Sequence, residues 1–173
     1  HPWRKRMAGF LIREGFPIYK NTRCQYFPLG ELQFTQMLRD LEKAERFIFM
    51  EYYILAQGQL WDRIHEVLRR KAREGVEVRI LFDDLGSIIT APNNLIEQLR
   101  SEQIQALAFN PVHQYVSRLY INYRNHQKIV VIDGNIGYTG GTNLADEYAN
   151  LYPKYGHWKD TAVMLKGPAA RSF

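Results

Sequence analysis

Cysteine is almost missing from this sequence, since Cys24 is the only one among 173 residues. A single cysteine excludes an internal disulfide framework and a metal site built from several thiolates. Long apolar runs are missing too: the best candidate, Phe47–Leu55, contains Glu51 and falls well short of the roughly 18 residues that span a bilayer. Internal repeats and low-complexity linkers are also absent. The chain is therefore expected to form one domain, large enough to bury a stable core without disulfide bonds.

The charge balance does not decide what the chain binds. Lysine and arginine number 23 and aspartate and glutamate 18, which gives a formal net charge of +5 at pH 7. A moderately basic surface suits anionic lipids and nucleic acid equally well. Part of this charge falls on one predicted helix face, where exposure to solvent is the simplest explanation. These residues are Arg69, Arg70, Lys71 and Arg73.

A predicted β-hairpin carries the most informative part of the sequence. Lys128–Ile132 is apolar and β-branched and runs into Asp133-Gly134, which predicts a buried strand that ends in a tight turn. Ile136–Thr139 is then the return strand. With two central turn residues, Lys128 would pair with the last residue of that return strand.

Phosphate chemistry is predicted at the open end of this hairpin. Side chains alternate along a strand, so His126 and Lys128 lie on one face, opposite Gly140-Gly141. Imidazole is substantially neutral at pH 7 and can attack phosphorus, while lysine supplies a fixed positive charge. Glycines let backbone N–H groups approach an anion closely. We expect transfer through a covalent phosphohistidine, with no metal and no other cofactor.

Asn143 is expected to begin a short helix over residues 144–148. Asparagine is a favoured N-cap, and a helix N-terminus beside a histidine and a lysine favours negative charge. Each of these features alone is common in proteins without a site: a lone histidine beside a strand is most often structural. The combination of H-x-K, an aspartate five residues later, and G-G-x-N at hairpin distance favours function.

The combination resembles the H-x-K-x4-D motif of the phospholipase D superfamily, with His126, Lys128 and Asp133 followed by Gly141 and Asn143. Other segments resemble the first of the two phospholipase D-like halves of bacterial cardiolipin synthases, in order and spacing. They are Phe49–Leu55, Leu81–Ser87, Tyr123–His126, Gly140–Tyr148 and Gly156–Thr161. The resemblance extends from about Tyr26 to Gly167.

The resemblance implies a role for each motif residue. His126 would be the nucleophile, Lys128 would bind phosphate oxygens, and Asp160 would hydrogen-bond the other nitrogen of the histidine ring. Asp133 would complete this catalytic set in a structural or polar-network role. Glu51, a carboxylate within an apolar strand, should be paired or face the cleft, with a salt bridge on the strand face as the alternative. Asn143 would bind phosphate or hold the active-site backbone. The substrate-binding set is expected to be Glu51, Gly141, Thr142 and Asn143.

Only one complete motif is present, whereas the family's active site uses two. His157-Trp158-Lys159 repeats H-x-K, but Met164 occupies the position that requires aspartate, so we interpret it as a decoy. General acid catalysis contributes roughly 10²–10⁴-fold, so one motif alone should be nearly inactive. A second phospholipase D-like half in the same chain, or a homodimer partner, is expected to supply the other histidine.

Alternating elements predict the fold class, a phospholipase D-like α/β sandwich with a mixed central sheet flanked by helices. Helices are predicted over residues 31–44, 60–73 and 92–100, and Gly75 is expected to end the second of them at its C-cap. Strands are predicted over 47–55, 76–82, 104–109 and 160–165. Residues 1–25 are predicted to be an extended, juxtamembrane arm, and residues 26–173 a single domain. Because the sequence opens at His1 with a basic stretch, we expect a fragment of a protein held at the bacterial cell membrane by segments outside this chain.

The expected activity is that of a cardiolipin synthase half-domain acting on phosphatidylglycerol at a membrane surface, with no nucleic acid partner. A single-motif homodimeric phosphodiesterase or nuclease is the alternative, and a non-catalytic lipid-binding module is a third. Asp83-Asp84 suits a turn or helix cap better than a metal site. Aromatic residues before the motif would line an acyl-chain or glycerol pocket or simply pack: Tyr115, Tyr120 and Tyr123.

Overall fold

Seven strands form one mixed sheet in the part of the chain that the computed structural model describes, residues 2–112 and 122–173. The strands are β1 (Arg23–Phe27), β2 (Phe47–Tyr52), β3 (Glu77–Asp83), β4 (Gln105–Phe109), β5 (Ile129–Ile132), β6 (Ile136–Gly140) and β7 (Ala162–Lys166). The helices are α1 (Pro2–Arg13), α2 (Gly30–Leu41), α3 (Gln59–Arg73), α4 (Asp84–Ser87) and α5 (Leu95–Ser101). The described residues also include two 3₁₀ turns near the end of the chain, Asp146–Ala149 and Pro168–Ser172.

The strand order is β1-β7-β6-β5-β2-β3-β4. Strands β2, β3 and β4 run parallel, and the other neighbours are antiparallel. This sheet confirms the predicted α/β class with a mixed central sheet. None of the helices within the described ranges combines the length and the apolar character needed to cross a bilayer.

Strand β2, an interior strand of the sheet, contributes to the core. Ile48 and Met50 are buried on one face of β2, while the residues that alternate with them point to the other face and are partly exposed. The same core includes Met37 of α2 with Trp61 and Ile64 of α3, all essentially inaccessible to solvent. Burying one such side chain contributes about 1.5–3 kcal/mol. This packing fixes the carboxyl end of β2, where the functional residues collect.

Most predicted elements are confirmed, including α2, α3 and the strands of the central sheet. Gly75 has φ of +91° directly after the α3 C-cap, as its predicted role at the helix end requires. The prediction of an extended N-terminal arm was wrong, because residues 2–13 form helix α1. Strand β1 also begins before the predicted domain boundary at residue 26. Apolar residues in the arm recur at helical spacing, and this period was overlooked.

The hairpin between β5 and β6 has a longer turn than the sequence predicted. Ile132 pairs with Ile136 and Ile129 with Thr139, which leaves three residues in the turn. The two-residue register was therefore wrong by one position. The turn begins with two residues in the left-handed region, Asp133 at φ +54° and Gly134 at φ +67°.

Asp133 explains why the turn adopts this shape. Its Oδ1 accepts hydrogen bonds from the backbone N–H groups of Arg46 at 2.8 Å and Phe47 at 2.9 Å, and its Oδ2 accepts one from Glu45 at 3.0 Å. The carboxylate thus holds the hairpin turn against the entrance to β2. Partial burial raises the pKa of Asp133, but the three backbone donors outweigh it and leave that pKa below its ordinary value.

We expect Asp133→Asn to lower the free energy of unfolding by about 2 kcal/mol, because hydrogen bonds to a charged acceptor contribute roughly 1.5–3 kcal/mol. Asparagine tolerates the left-handed backbone, so the change isolates the carboxylate. Urea unfolding at neutral pH measures it. Asn135→Ala, in the same turn, is the matched control and should change the midpoint little.

The same pair of proteins gives a pH test. Because the folded pKa of Asp133 is depressed, its stabilising effect is fully present above the unfolded value of about 3.9 and is lost as pH falls through the folded pKa. The stability difference between the parent and Asp133→Asn should therefore shrink below about pH 4. A difference that stays constant down to the acid transition would contradict this role.

Candidate active site

Lys128 and His126 are in direct contact just before β5. The Lys128 Nζ lies 2.9 Å from His126 Nδ1 and donates a second hydrogen bond to the His126 carbonyl oxygen at 2.7 Å. The lysine is 6% exposed, whereas the histidine is exposed to solvent. The predicted sharing of one face by these two residues is confirmed. The pair presents a buried cation beside an accessible imidazole.

Tyr53, directly after β2, supports both side chains. Its ring centroid lies 4.3 Å from that of His126, and the Lys128 Nζ lies 5.5 Å from the same tyrosine ring. An ammonium over an aromatic face gains a cation–π attraction that partly offsets its lost hydration. Sequence reasoning missed Tyr53, although it stands two residues after Glu51 in a segment that had been singled out.

The lysine charge is only partly compensated. Burial lowers the pKa of Lys128, and the negative charge of Asp160 opposes that shift. Within the described chain, both hydrogen bonds of the ammonium go to His126, which contributes no negative charge to it. A partly buried cation without a bonded carboxylate attracts an anion strongly, because the anion restores the interaction that water would have given.

Asp160 lies near this cation but does not hydrogen-bond His126. Its Oδ1 accepts a hydrogen bond from the Thr161 N–H at 2.8 Å, and the Lys128 ammonium occupies His126 Nδ1 instead. Asp160 also packs against Gly141: a Cβ at position 141 would lie 2.1 Å from Asp160 Oδ1. The glycine is therefore required for the carboxylate to come so close to the site.

Asn143 and Thr142 hold the loop after β6 rather than project into open space. Asn143 is buried, and its Oδ1 accepts a hydrogen bond from the Ile54 N–H at 3.0 Å. Thr142 is fully buried and donates to Gln33 Oε1 at 2.5 Å. The predicted N-cap was wrong, because the shorter 3₁₀ turn has Ala145 at its N-cap. The asparagine instead closes the end of β2, a long-range partner that local sequence does not reveal.

Asp146 fixes the same loop from its other side. Its Oδ1 accepts a hydrogen bond from the Leu60 N–H at 2.8 Å, and its Oδ2 accepts one from the Gln59 N–H at 3.0 Å. These are free donors at the start of α3, whose own N-cap residue, Gly58, has no side chain to offer. Residue 58 must be small, since a Cβ there would meet the Asp146 carboxylate at 2.7 Å.

A buried carboxylate positions the segment that leads into His126. Asp83, at the end of β3, is 1% exposed and accepts hydrogen bonds from the Asn125 N–H at 3.1 Å and from Arg124 Nη1 at 3.4 Å. It also accepts from the Gly86 N–H at 3.1 Å, which confirms its predicted capping role.

Glu51 holds the same segment from β2. Its Oε1 accepts a hydrogen bond from Asn125 Nδ2, and Asn125 Oδ1 in turn accepts one from the Gln127 N–H at 3.1 Å. Glu51 is therefore paired, as predicted. Asn125 is held by two neighbouring strands through Glu51 and Asp83, and we call these three residues the Asn125 clamp. Its members were not recognised as one unit in the sequence because they are distant along it.

A cleft of about 570 Å³ opens beside the motif. Its walls include Glu51, His126, Lys128, Thr139, Gly140 and Phe173. In the described ranges, no group of three or more His, Cys, Asp or Glu residues is arranged to hold a metal ion.

Three predicted residues lie elsewhere. Asp133 is at the opposite end of β5, up to roughly 23 Å of extended chain from His126. His157 is exposed, with its Nε2 3.6 Å from Glu31 Oε1, and takes no part in the cleft. Tyr123 is 72% exposed and lies against Phe109. Tyr115 and Tyr120 lie outside the described residues.

The chain is similar to several curated cardiolipin synthases. It is 40% identical to one from Oceanobacillus iheyensis, over 97% of this chain and 35% of that protein. It is 41% identical to the major cardiolipin synthase ClsA of Bacillus subtilis, over 83% of this chain and 30% of that protein. The chain therefore spans about a third of the length of these relatives.

The fold is similar to that of Nuc from Salmonella typhimurium, a phospholipase D family member of known structure. The TM-score is 0.61 and the identity 20%, over 88% of both chains. Residues 37–154 match the family described as cardiolipin synthase, phospholipase D-like domain. Because that match covers more than half of the sequence and the relatives above cover most of it, this chain belongs to the phospholipase D-like domain family of the cardiolipin synthases.

Proposed function

We propose that this chain forms one catalytic half of a bacterial cardiolipin synthase, with residues 23–173, which include β1, as its phospholipase D-like domain. The observation that carries the proposal is the buried Lys128 ammonium, which lies 2.9 Å from the imidazole of His126 and bonds to no carboxylate among residues 2–112 and 122–173. A phosphodiester is the anion that this pair suits best, because the cation binds its oxygens while the ring nitrogen reaches phosphorus.

The proposed reaction has two displacement steps. The His126 nitrogen attacks the phosphorus of phosphatidylglycerol, forming a P–N bond and breaking the P–O bond to the headgroup glycerol. The headgroup hydroxyl of a second phosphatidylglycerol then attacks the same phosphorus, breaks the P–N bond and gives cardiolipin. The leaving glycerol needs a proton in the first step, and the accepting hydroxyl loses one in the second.

The histidine ring must change partners for the first step. With Lys128 donating to Nδ1, a neutral ring carries its proton on Nε2, which then has no lone pair for attack. An arriving phosphate would draw the ammonium to its oxygens. The ring could then carry its proton on Nδ1, turned toward Asp160, and attack through Nε2. This exchange would couple substrate binding to activation of the nucleophile.

The proton donor for glycerol is proposed to come from a second phospholipase D-like half, in the same protein or in a second copy. Its support is that the described part of this chain brings no second H-x-K-x4-D motif to the cleft, while the relatives are about three times as long. We further propose that the reaction occurs at the bacterial cell membrane, where both lipid substrates reside.

We expect His126→Ala to abolish cardiolipin formation from phosphatidylglycerol, assayed with the second half present and with lipid products read by mass spectrometry. His157→Ala is the matched control, since it removes the other H-x-K histidine, and it should retain activity within about twofold. Undiminished turnover in His126→Ala would refute the nucleophile assignment. Hydrolysis of DNA without any lipid transfer would instead favour the nuclease alternative.

The Asn125 clamp generates a second prediction. Asn125→Ala removes the side chain that joins Glu51 to the Gln127 N–H, directly after His126, so the ring should lose its fixed approach to phosphorus. We expect kcat to fall about 10–100-fold with little change in KM, because misplacement of a reacting group mainly weakens transition-state binding.

Gln127→Ala is the control for this change, because the side chain of Gln127 is exposed and only its backbone contacts the clamp. Circular dichroism and urea unfolding would show whether both variants remain folded. An Asn125→Ala enzyme with the parent kcat would show that the clamp does not position the nucleophile.

A further inference from the structure

Helix α1 is unusual because none of its residues is buried. Large apolar side chains project from α1 and from the segment that follows it, each more than two-fifths exposed. They are Trp3, Met7, Phe10, Ile12, Phe16 and Ile18. Exposing so many large apolar groups in one short region is unfavourable in water, and contiguous patches of this kind mark interaction surfaces.

Three of these side chains form one face of α1, whereas Ile12 projects from the opposite side of the helix, and Phe16 and Ile18 follow it in the chain. At about 100° per residue, Trp3, Met7 and Phe10 fall within an arc of roughly 60°, and Leu11 widens it to roughly 100°. Arg4 and Arg6 flank the apolar arc. An apolar stripe bordered by arginines is typical of helices that lie in the plane of a lipid surface.

The charge of α1 identifies the kind of surface. Lys5 lies opposite the apolar arc and Arg13 to one side of it, so the helix carries four basic residues. No acidic residue occurs before Glu14. A protein groove that buried the apolar face alone would leave this unbroken positive charge without a partner. An anionic bilayer satisfies both features, because its acyl region takes the aromatic side chains and its headgroups attract the cations.

We propose that α1 is an in-plane anchor that binds an anionic phospholipid surface through Trp3, Met7 and Phe10, with its arginines among the headgroups. The inference extends the proposed function, which needs lipid substrates, but it can fail alone because binding is measured without turnover. Placed there, α1 would hold the domain at the surface from which its substrates come.

Binding of the 173-residue chain to sedimented vesicles tests the proposal. Vesicles of phosphatidylcholine containing phosphatidylglycerol should bind the parent chain at least tenfold more tightly than vesicles of phosphatidylcholine alone. The double change Trp3→Ala and Phe10→Ala should weaken binding at least tenfold, and so should Arg4→Gln with Arg6→Gln. These positions are exposed, so the variants should fold normally.

Matched controls lie on other surfaces. Ile89→Ala with Leu107→Ala removes two apolar side chains that are more exposed than Trp3, and Arg63→Gln with Arg73→Gln removes two exposed cations. Both controls should bind within about twofold of the parent, as should His126→Ala.

Two results would overturn the proposal: parent-like binding by the Trp3 and Phe10 variant, or equal affinity for vesicles with and without phosphatidylglycerol. Lost cardiolipin formation in His126→Ala with retained vesicle binding would support both proposals separately. If the α1 variants retain lipid transfer and bind vesicles as the parent does, the anchor proposal is refuted. The proposed catalytic function is then unaffected.

Discussion

The contact between the Lys128 ammonium and the His126 imidazole is the interaction on which the rest of the site depends. Burying an ammonium without a bonded carboxylate is costly, and the depressed pKa of Lys128 records that cost. The protein reduces it with an imidazole nitrogen, a carbonyl oxygen and the face of Tyr53. Each of these partners is weaker than an anion. The site is therefore suited to an anion, and in the proposed function a phosphate would replace these internal contacts with stronger ones.

The fold keeps this pair in place with hydrogen bonds from carboxylate and amide side chains that are distant from it in the sequence. Asp83 and Glu51 hold Asn125, directly before the histidine, from two adjacent strands. Asn143 binds the end of β2, and Asp146 binds the start of α3, so the glycine-rich loop has little freedom to move. Polar groups at strand ends thus perform the positioning, while the apolar core sets where those ends lie. Sites held by several such bonds keep reacting groups in productive geometry.

Local sequence patterns predicted the features that depend on local physics. Apolar spacing located α2 and α3, Gly75 marked a helix end, and alternation placed His126 and Lys128 together. The predicted turn length was wrong because Asp133 accepts hydrogen bonds from backbone N–H groups more than eighty residues away. The predicted N-cap role of Asn143 was wrong for the same reason, since the backbone group that it binds, the Ile54 N–H, is also remote in sequence.

Other features escaped prediction because they depend on the assembled molecule. The extended arm is a helix with an amphipathic face, yet that face has no partner within the described chain to reveal it. The expected contact between Asp160 and His126 is replaced by the lysine, an outcome set by the spatial order of three side chains rather than by their order in sequence. Roles in a polar network therefore need the structure, whereas the proposal that His126 and Lys128 react follows from their spacing in the sequence.

The most direct test of the account is to trap the covalent intermediate. The protein containing this chain and its second half would be mixed with radiolabelled phosphatidylglycerol, quenched in alkali to preserve a P–N bond, and digested for tandem mass spectrometry. We predict a phosphatidyl adduct on His126 that is labile in acid and disappears as unlabelled phosphatidylglycerol is added and cardiolipin forms. Stoichiometric labelling of another residue, with His126 unmodified during turnover, would contradict the account.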